Sequence, residues 1–182
     1  MSGDWLVGPS SAPSARYARL ELELDDGMRV SLIDPRALAT VRRHDDGSAL
    51  PELGPEADGS LDAAVLATAL AGRRVPIKLA LLDQSVIAGL GNIYVVEALW
   101  RARIDPRTRS SALGRVRVRR LRDAIVDTMR EARERPGRYS SGEGAPLEVY
   151  DREGEACRRC GRTIRRIVQA GRSTYYCPAC QR

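Results

Sequence analysis

Residues 81 to 94 read Leu81-Leu82-Asp83-Gln84-Ser85-Val86-Ile87-Ala88-Gly89-Leu90-Gly91-Asn92-Ile93-Tyr94. Apolar periodicity predicts one helix from about Ile77 to Ile87 and another from Asn92 to about Arg101, joined by a tight turn at Ala88–Gly91. The two glycines allow the backbone to approach another group closely. Since Asn92 opens the second helix, whose free N–H groups attract anions, the stretch predicts a helical joint that can receive an anion.

Four cysteines form the second strong pattern, Cys157-x2-Cys160-x16-Cys177-x2-Cys180. Two CxxC pairs at this spacing place four thiolates around one Zn²⁺, and a site filled by thiolates is structural. Two disulfides or a redox pair are the alternatives. Between the pairs, strand-forming residues alternate with Arg162, Arg165, Arg166 and Arg172, which predicts a basic β-hairpin held at its base by metal. Contact with nucleic acid is favoured over a merely solvated surface, because clustered arginines suit phosphates.

The remaining chain supplies a hairpin and two further helices. Leucines alternate with glutamates before the turn Asp25-Asp26-Gly27, and alternation resumes from Met28, which predicts a β-hairpin. Residues 1–15 indicate a loose lead-in. We expect one helix capped by Ser60 over about Leu61–Ala71, and a long one that begins near Ser111 and stops at Pro136-Gly137.

Charge is distributed unevenly along the 182 residues, whose net charge is +6. Residues 1–62 hold 6 basic and 12 acidic side chains, whereas residues 63–182 hold 24 and 12. A basic face for a polyanion is the natural interpretation. No apolar run is long enough for a membrane span and no secretory signal is visible, so a cytoplasmic, nucleoid-associated protein is expected.

The 81–94 stretch closely resembles the helix–two-turn–helix motif of the formamidopyrimidine-DNA glycosylase and endonuclease VIII (Fpg/Nei) family. The tail from Gly154 to Gln181 resembles the C-terminal zinc finger of that family. Upstream, Asp34-Pro35-Arg36 and Leu53-Gly54-Pro55-Glu56 look like the end of its N-terminal β-sandwich and the linker that follows. The resemblance covers essentially the whole chain, aligned to the last two thirds of the family.

The resemblance implies an α+β fold with three parts. These are a remnant β-hairpin of the N-terminal β-sandwich with its linker over 1–59, a helical helix–two-turn–helix core over 60–148, and a zinc-ribbon β-hairpin over 149–182. It also implies one structural Zn²⁺ held by Cys157, Cys160, Cys177 and Cys180. The partner implied is double-stranded DNA, with preference for damaged or abasic sites in base excision repair.

Carried over position by position, the resemblance assigns roles to five residues. Lys78 and Asn92 would hold the phosphates that flank a lesion, and Arg172 would grip the backbone beside the extruded nucleotide. Met1 and Arg36 would fall where the family inserts side chains into the gap left by a flipped base. The family's usual aromatic wedge is replaced here by Leu38, which weakens stacking but leaves an apolar wedge.

The family's chemistry starts from an N-terminal Pro-Glu, whose secondary amine forms a Schiff base with the sugar. Here Pro51-Glu52 and Pro55-Glu56 are internal, so their nitrogens are amides, and the segment 138–147 is shorter than the family's base-capping loop. We therefore expect a truncated member that binds DNA without the family's glycosylase or lyase chemistry.

Three alternatives stay open. A missing upstream segment would complete a functional glycosylase and AP lyase. The α-amine of Ser2, exposed if Met1 is removed, would supply weak lyase activity. A zinc-ribbon RNA-binding protein would share the basic tail, but it would have no need of the 83–94 stretch.

The predicted hairpin also raises the question of a partner. An isolated two-stranded hairpin is only marginally stable in water. We expect its exposed edge to pair with a second copy of the chain or with another protein that supplies strands.

Overall fold

The computed structural model describes residues 4–41, 52–134 and 147–182. The chain divides into two units, Met1–Leu50 and Pro51–Arg182. The described residues of the first unit form strands and those of the second form both helices and strands, so the α+β class is confirmed. No helix in the described part of the chain is long and apolar enough to cross a membrane.

The first unit contains a three-stranded antiparallel sheet. Its strands are β1 (Asp4–Pro9), β2 (Ala18–Glu23) and β3 (Met28–Ile33), in the spatial order β1-β3-β2. The hairpin of β2 and β3 confirms the prediction, but the interpretation of residues 1–15 as a loose lead-in is wrong. Trp5 pairs with Leu32 and Val7 with Val30, so β1 covers one edge of β3.

The first helix of the second unit, α1, spans Ala63–Leu70. Its cap is Asp62 rather than the predicted Ser60, because the Asp62 carboxylate accepts hydrogen bonds from the N–H groups of Ala64 and Val65. Ser60 instead donates through its own N–H and its hydroxyl to Asp58, at 2.8 Å and 2.5 Å. Both residues favour helix starts, and only the local backbone decides between them.

Helix α2 spans Ile77–Leu82 and ends five residues earlier than the prediction. Asp83 causes the early end, since its carboxylate accepts hydrogen bonds from the N–H and the hydroxyl of Ser85, at 3.0 Å and 2.6 Å. Such short-range bonds compete with helix propagation. The Ser85 hydroxyl and N–H also lower the pKa of Asp83, so the carboxylate stays ionised in this turn.

The turn that follows is held by the side chain of Gln84. Its amide accepts a hydrogen bond from the N–H of Gly89 (3.0 Å) and donates to the carbonyl of Leu90 (3.1 Å). Gly89 has φ +83°, a conformation that favours glycine. Gly91 lies in the extended region at φ −96° and caps helix α3, Asn92–Arg101, whose bounds confirm the prediction.

The last helix, α4, spans Arg115–Glu134. The expected start near Ser111 is wrong, because Ser110–Ala112 forms a short 3₁₀ turn before it. The predicted stop at Pro136-Gly137 lies outside the described residues. The four helices of the described residues contribute to one apolar core, whose fully buried side chains include Leu66, Ile77, Leu99, Leu121 and Ile125.

The C-terminal part contains a second, two-stranded sheet. Strands β4 (Arg165–Gln169) and β5 (Arg172–Tyr176) pair in an antiparallel hairpin, in the region where the cysteine spacing predicts one. A second apolar cluster lies beneath it and includes Val96 and Trp100 of α3 together with Ile164 and Tyr175. Helix α3 therefore contributes to both clusters.

The segment 54–57 is bonded to the turn between α2 and α3. The N–H of Gly54 donates to the carbonyl of Gln84 (2.8 Å), and the N–H of Ala88 donates to the carbonyl of Pro55 (2.9 Å). The chain approaches so closely that a Cβ on Gly54 would lie 2.6 Å from the carbonyl carbon of Val86. Only glycine fits at this position without a shift of backbone.

We predict that Gly54→Ala destabilises the protein by about 1–3 kcal/mol, the usual range for overpacking a rigid site. Urea unfolding followed by circular dichroism measures the change. Gly59→Ala is the matched control, because nothing lies within 4 Å of a Cβ there. Equal stability of the two variants would contradict the close approach at Gly54.

Candidate nucleic-acid interface

The four predicted zinc ligands meet in one place. The sulfurs of Cys157, Cys160, Cys177 and Cys180 all lie within 4.8 Å of one another. Cys160 Sγ and Cys177 Sγ are 3.5 Å apart, and Cys157 Sγ and Cys180 Sγ are 4.0 Å apart. Tetrahedral Zn–S bonds of about 2.3 Å require sulfur separations of this size, so the donors fit zinc. The cysteines hold one structural zinc ion.

Backbone turns present the thiols. The N–H of Gly161 donates to the carbonyl of Cys157 (2.8 Å), and the N–H of Gln181 donates to the carbonyl of Cys177 (3.1 Å), which closes a turn around each cysteine pair. Burial disfavours the Cys157 thiolate, but the backbone N–H of Arg159, the Trp100 side chain and the backbone N–H of Cys160 together outweigh it and lower the pKa of Cys157 to about 7. Four protein sulfurs leave no position for a reacting water.

A buried carboxylate docks the zinc module onto α3. Glu97 is fully buried and accepts hydrogen bonds from three consecutive backbone N–H groups, those of Glu148 (2.9 Å), Val149 (2.9 Å) and Tyr150 (3.0 Å). Burial raises the pKa of Glu97, and the three N–H groups oppose that rise. Arg152 completes the junction, since its guanidinium donates to the carbonyls of Glu148 (2.6 Å) and Ala156 (2.9 Å).

Two further contacts hold the module to the helices. The Arg159 guanidinium carbon lies 3.8 Å from the centre of the Trp100 ring, and Arg159 donates to the carbonyl of Trp100 (3.0 Å). The Gln181 amide donates to the carbonyl of Ile104 (2.9 Å) and accepts from the N–H of Cys177 (2.8 Å). The zinc hairpin is thus packed against α3 and the loop after it, rather than attached by a linker alone.

Lys78 is the second residue of α2, and its side chain is fully buried. Its ammonium nitrogen has no hydrogen-bond partner in the structure. Burial, aided by the charge of Arg172, lowers the pKa of Lys78 to about 8. An ammonium group in this environment is destabilising unless an anion joins it.

The other two residues assigned to phosphate contact are Asn92 and Arg172. Arg172 is close enough to Lys78 for its charge to lower the pKa of Lys78, and Asn92 contacts the residue next to Arg172. The Asn92 amide donates to the carbonyl of Ser173 (3.1 Å), next to Arg172 on β5, while its oxygen is buried without a hydrogen bond. Arg172 is exposed. One cationic site is therefore built from residues of α2, α3 and the zinc hairpin, which are far apart in sequence.

The outer surface of the zinc hairpin is basic, as the sequence predicts. Arg162, Arg165 and Arg166 are all exposed. Across the part of the chain that the structure describes, none of the three forms an ion pair with a carboxylate; Arg166 Nε donates to the Ser173 hydroxyl (3.0 Å). These charges are free to meet an anionic partner.

The other residues with assigned roles belong to the first unit. Arg36 and Leu38 are exposed on a loop organised by Asp34, whose carboxylate accepts hydrogen bonds from the N–H groups of Arg36 (3.1 Å) and Leu38 (2.6 Å). The N–H of Ala39 is the main cause of a lowered pKa at Asp34. Met1 and Ser2 lie outside the described residues.

Sequence reasoning missed the residues that position this surface. The sequence does mark Glu97, because a lone carboxylate inside the apolar stretch Val95–Trp100 is costly to bury without hydrogen-bond donors. No sequence pattern marks Gln169. Its amide donates to the carbonyl of Pro106 (3.3 Å), which also accepts from the N–H of Lys78 (3.4 Å), and no local pattern marks that contact.

Comparison with protein families matches two parts of the chain. Residues 53–142 match the model of the formamidopyrimidine-DNA glycosylase H2TH domain, and residues 154–182 match the zinc finger found in Fpg and isoleucyl-tRNA synthetase. Formamidopyrimidine-DNA glycosylase of Roseiflexus sp. (strain RS-1) is 43% identical over all of this chain and 72% of its own length. The protein of that name from Mycobacteroides abscessus is 39% identical, with 100% and 70% covered.

Solved structures show the same likeness. A structure of MutM in complex with DNA containing carbocyclic 8-oxo-G superimposes with a TM-score of 0.85 at 31% identity, over all of this chain and 72% of that one. The complex of Lactococcus lactis Fpg with DNA containing an abasic site gives a TM-score of 0.83 at 31% identity, with the same coverage.

Proposed function

Because the chain belongs to the formamidopyrimidine-DNA glycosylase family, we propose that it binds double-stranded DNA and prefers damaged or abasic sites. The main observation behind this proposal is the cationic site formed by Lys78, Asn92 and Arg172. The related proteins solved in complex with DNA that contains carbocyclic 8-oxo-G or an abasic site support the choice of partner.

Each of the three residues has a part in holding phosphates. Lys78 supplies a buried ammonium without a hydrogen bond, which a phosphate oxygen would satisfy. Asn92 offers an amide at the first residue of α3, where the free N–H groups of the helix also favour an anion. Arg172 adds an exposed guanidinium, the side chain best suited to phosphate geometry.

The roles of Arg36 and Met1 extend the same proposal to the gap left by a flipped base. Arg36 and Leu38 are presented outward by the Asp34 loop, with Leu38 70% exposed. An exposed apolar side chain beside a cation suits insertion between bases.

We further propose that this chain binds without cutting. Imine chemistry requires an amine, and the sequence as printed offers only its one lysine and its α-amino group. Lys78 is fully buried and close enough to Arg172 to be affected by its charge, so it is badly placed to attack a sugar. The alternatives are a glycosylase and AP lyase that uses residues beyond this chain, or the Ser2 α-amine.

The deciding experiment mixes the purified chain with an abasic-site duplex, in parallel gel shifts with and without borohydride. We expect a shift without covalent trapping. With about 4–6 phosphates contacted, log K should fall with log salt at a slope near −4 to −5. A trapped complex would overturn the absence of chemistry, and a flat salt response would overturn the phosphate contacts.

Matched variants test the residues. Arg172→Ala should weaken binding by roughly 1–3 kcal/mol, as expected for a lost charge-assisted hydrogen bond. Arg165→Ala removes the same charge from the same hairpin and should cost less. Tighter binding to structured RNA than to the abasic duplex would favour the zinc-ribbon RNA-binding alternative.

The lowered pKa of Lys78, about 8, predicts opposite effects of pH on binding and on stability. DNA affinity should fall on the order of tenfold from pH 7.5 to 9.5, because a neutral amine no longer attracts phosphate. The free energy of unfolding should increase over the same range. Between about pH 8 and pH 10.5 the unfolded chain keeps the proton that folded Lys78 has lost, so rising pH favours folding.

Lys78→Arg isolates this effect, because arginine stays charged throughout the range. Fluorescence anisotropy with an abasic duplex and urea unfolding are measured at matched pH values for both proteins. The variant should lose the Lys78 contribution to both pH dependences. Identical pH dependence in the two proteins would contradict the assignment of Lys78.

The sheet of the first unit is the basis for a proposed protein contact. The expected hairpin edge is partly covered, since β1 pairs with β3, which leaves the outer edges of β1 and β2 without a partner strand in the described ranges. On one face Trp5, Val7 and Leu22 are 53%, 65% and 48% exposed. We propose that this sheet associates with a second copy of the chain or with another protein.

Sedimentation velocity across a range of concentrations measures this association. We expect a monomer–dimer equilibrium that shifts to monomer in Val7→Glu, because the substitution places a charge on the apolar face. The control Asp4→Lys changes an exposed charge at the end of β1. A monomer at every concentration would contradict self-association.

A further inference from the structure

The contact between Asn92 and the zinc hairpin has a consequence beyond phosphate contact. Asn92 opens α3, and its amide donates to the carbonyl of Ser173, 81 positions later. We propose that Asn92 is a positioning residue, which pins the tip of the zinc hairpin to α3 and so holds Arg172 beside Lys78 before DNA arrives. The inference rests on the proposed function, and it deepens that function by assigning Asn92 a task in the free protein.

The tip of the hairpin depends on contacts such as this one to stay in place. Strands β4 and β5 have five residues each, and a two-stranded hairpin of this size is marginal by itself. The zinc ligand Cys177 fastens the base of β5, and the buried side chains of Thr174 and Tyr175 pack its middle. Ser173 lies further toward the tip, about 13 Å from Cys177 at the usual rise of a strand. The turn at Ala170 and Gly171, both at positive φ, lies at the far end.

Two hydrogen bonds hold that far end, one on each side of the turn. Gln169 on β4 donates to the carbonyl of Pro106 (3.3 Å), and Asn92 reaches Ser173 on β5. Arg172 lies between the turn and Ser173, so fixing Ser173 fixes the start of the Arg172 side chain. In the described part of the chain, the Arg172 guanidinium itself has no hydrogen bond or ion pair that would hold it.

Repulsion between Arg172 and Lys78 is the reason that the hydrogen bond between Asn92 and Ser173 matters. Arg172 and Lys78 carry the same charge, and no carboxylate is bonded to either side chain in the described part of the chain. Two like charges repel, so a free tip would move Arg172 away from Lys78. Holding them together before binding means that a phosphate meets two cations already in place, which lowers the ordering cost of association.

Lys78 provides a direct readout, because it is the one lysine of the chain. In ¹⁵N,¹³C-lysine-labelled protein a single side-chain signal reports its pKa without DNA. We expect Asn92→Ala to raise the pKa of Lys78 as Arg172 moves away, and Arg172→Gln to raise it in the same way. The double variant should match Arg172→Gln alone. Arg165→Gln, a charge loss elsewhere on the hairpin, should leave the signal unchanged.

DNA affinity completes the test. If Asn92 acts through Arg172, the affinity loss in the double variant is smaller than the product of the two single losses. An unchanged Lys78 pKa in Asn92→Ala, together with multiplying affinity losses, would overturn the inference. Zinc content and the backbone amide spectrum confirm that each variant is folded. Asn92→Ser, a shorter polar residue that does not reach Ser173, should behave as Asn92→Ala does.

The pKa measurement is made on the free protein, so the two proposals fail separately. A shifted pKa in a protein that binds no DNA would leave the pin intact and overturn the proposed function. Normal DNA binding without the pKa shift would retain the function and overturn the pin.

Discussion

The arrangement of the second unit depends on the hydrogen bonds that the buried carboxylate of Glu97 accepts. Helix α3 is buried on two sides, against the helical core through Val95 and Leu99 and against the zinc module through Val96 and Trp100. A helix that is apolar on both sides can dock two modules, but apolar contact alone is weakly directional. Three backbone N–H groups bonded to one buried carboxylate fix the orientation of the second module.

That orientation brings the cations together. With the zinc module docked on α3, the hairpin tip reaches the start of the same helix, where Asn92 meets Ser173 and Arg172 comes close to Lys78. This arrangement has an energetic cost at Lys78, whose buried ammonium group has no hydrogen bond. A folded protein tolerates such a group where the binding of an anion offsets it, which is typical of functional sites.

Local chemistry explains where sequence reasoning worked. The bounds of α3 follow from a glycine before it and unbroken apolar periodicity within it, so Asn92–Arg101 was predictable. The cysteine spacing was equally informative, since four ligands for one ion constrain each other whatever surrounds them. Predictions failed where two local signals competed. Asp62 displaced Ser60 as a cap, and Asp83 ended α2 before its apolar pattern did.

The motifs, the zinc ligands and the identity of the cations can be predicted from the chain alone, because each depends on residue type and short-range spacing. Which distant groups meet depends on the packing of the folded protein. Strand β1 exists because it pairs with β3, and Gly54 is required because another segment passes 2.6 Å from its missing Cβ. The pairing of Asn92 with Ser173 spans 81 positions. Such contacts depend on how the modules dock, and no pattern of neighbouring residues encodes the distance between them.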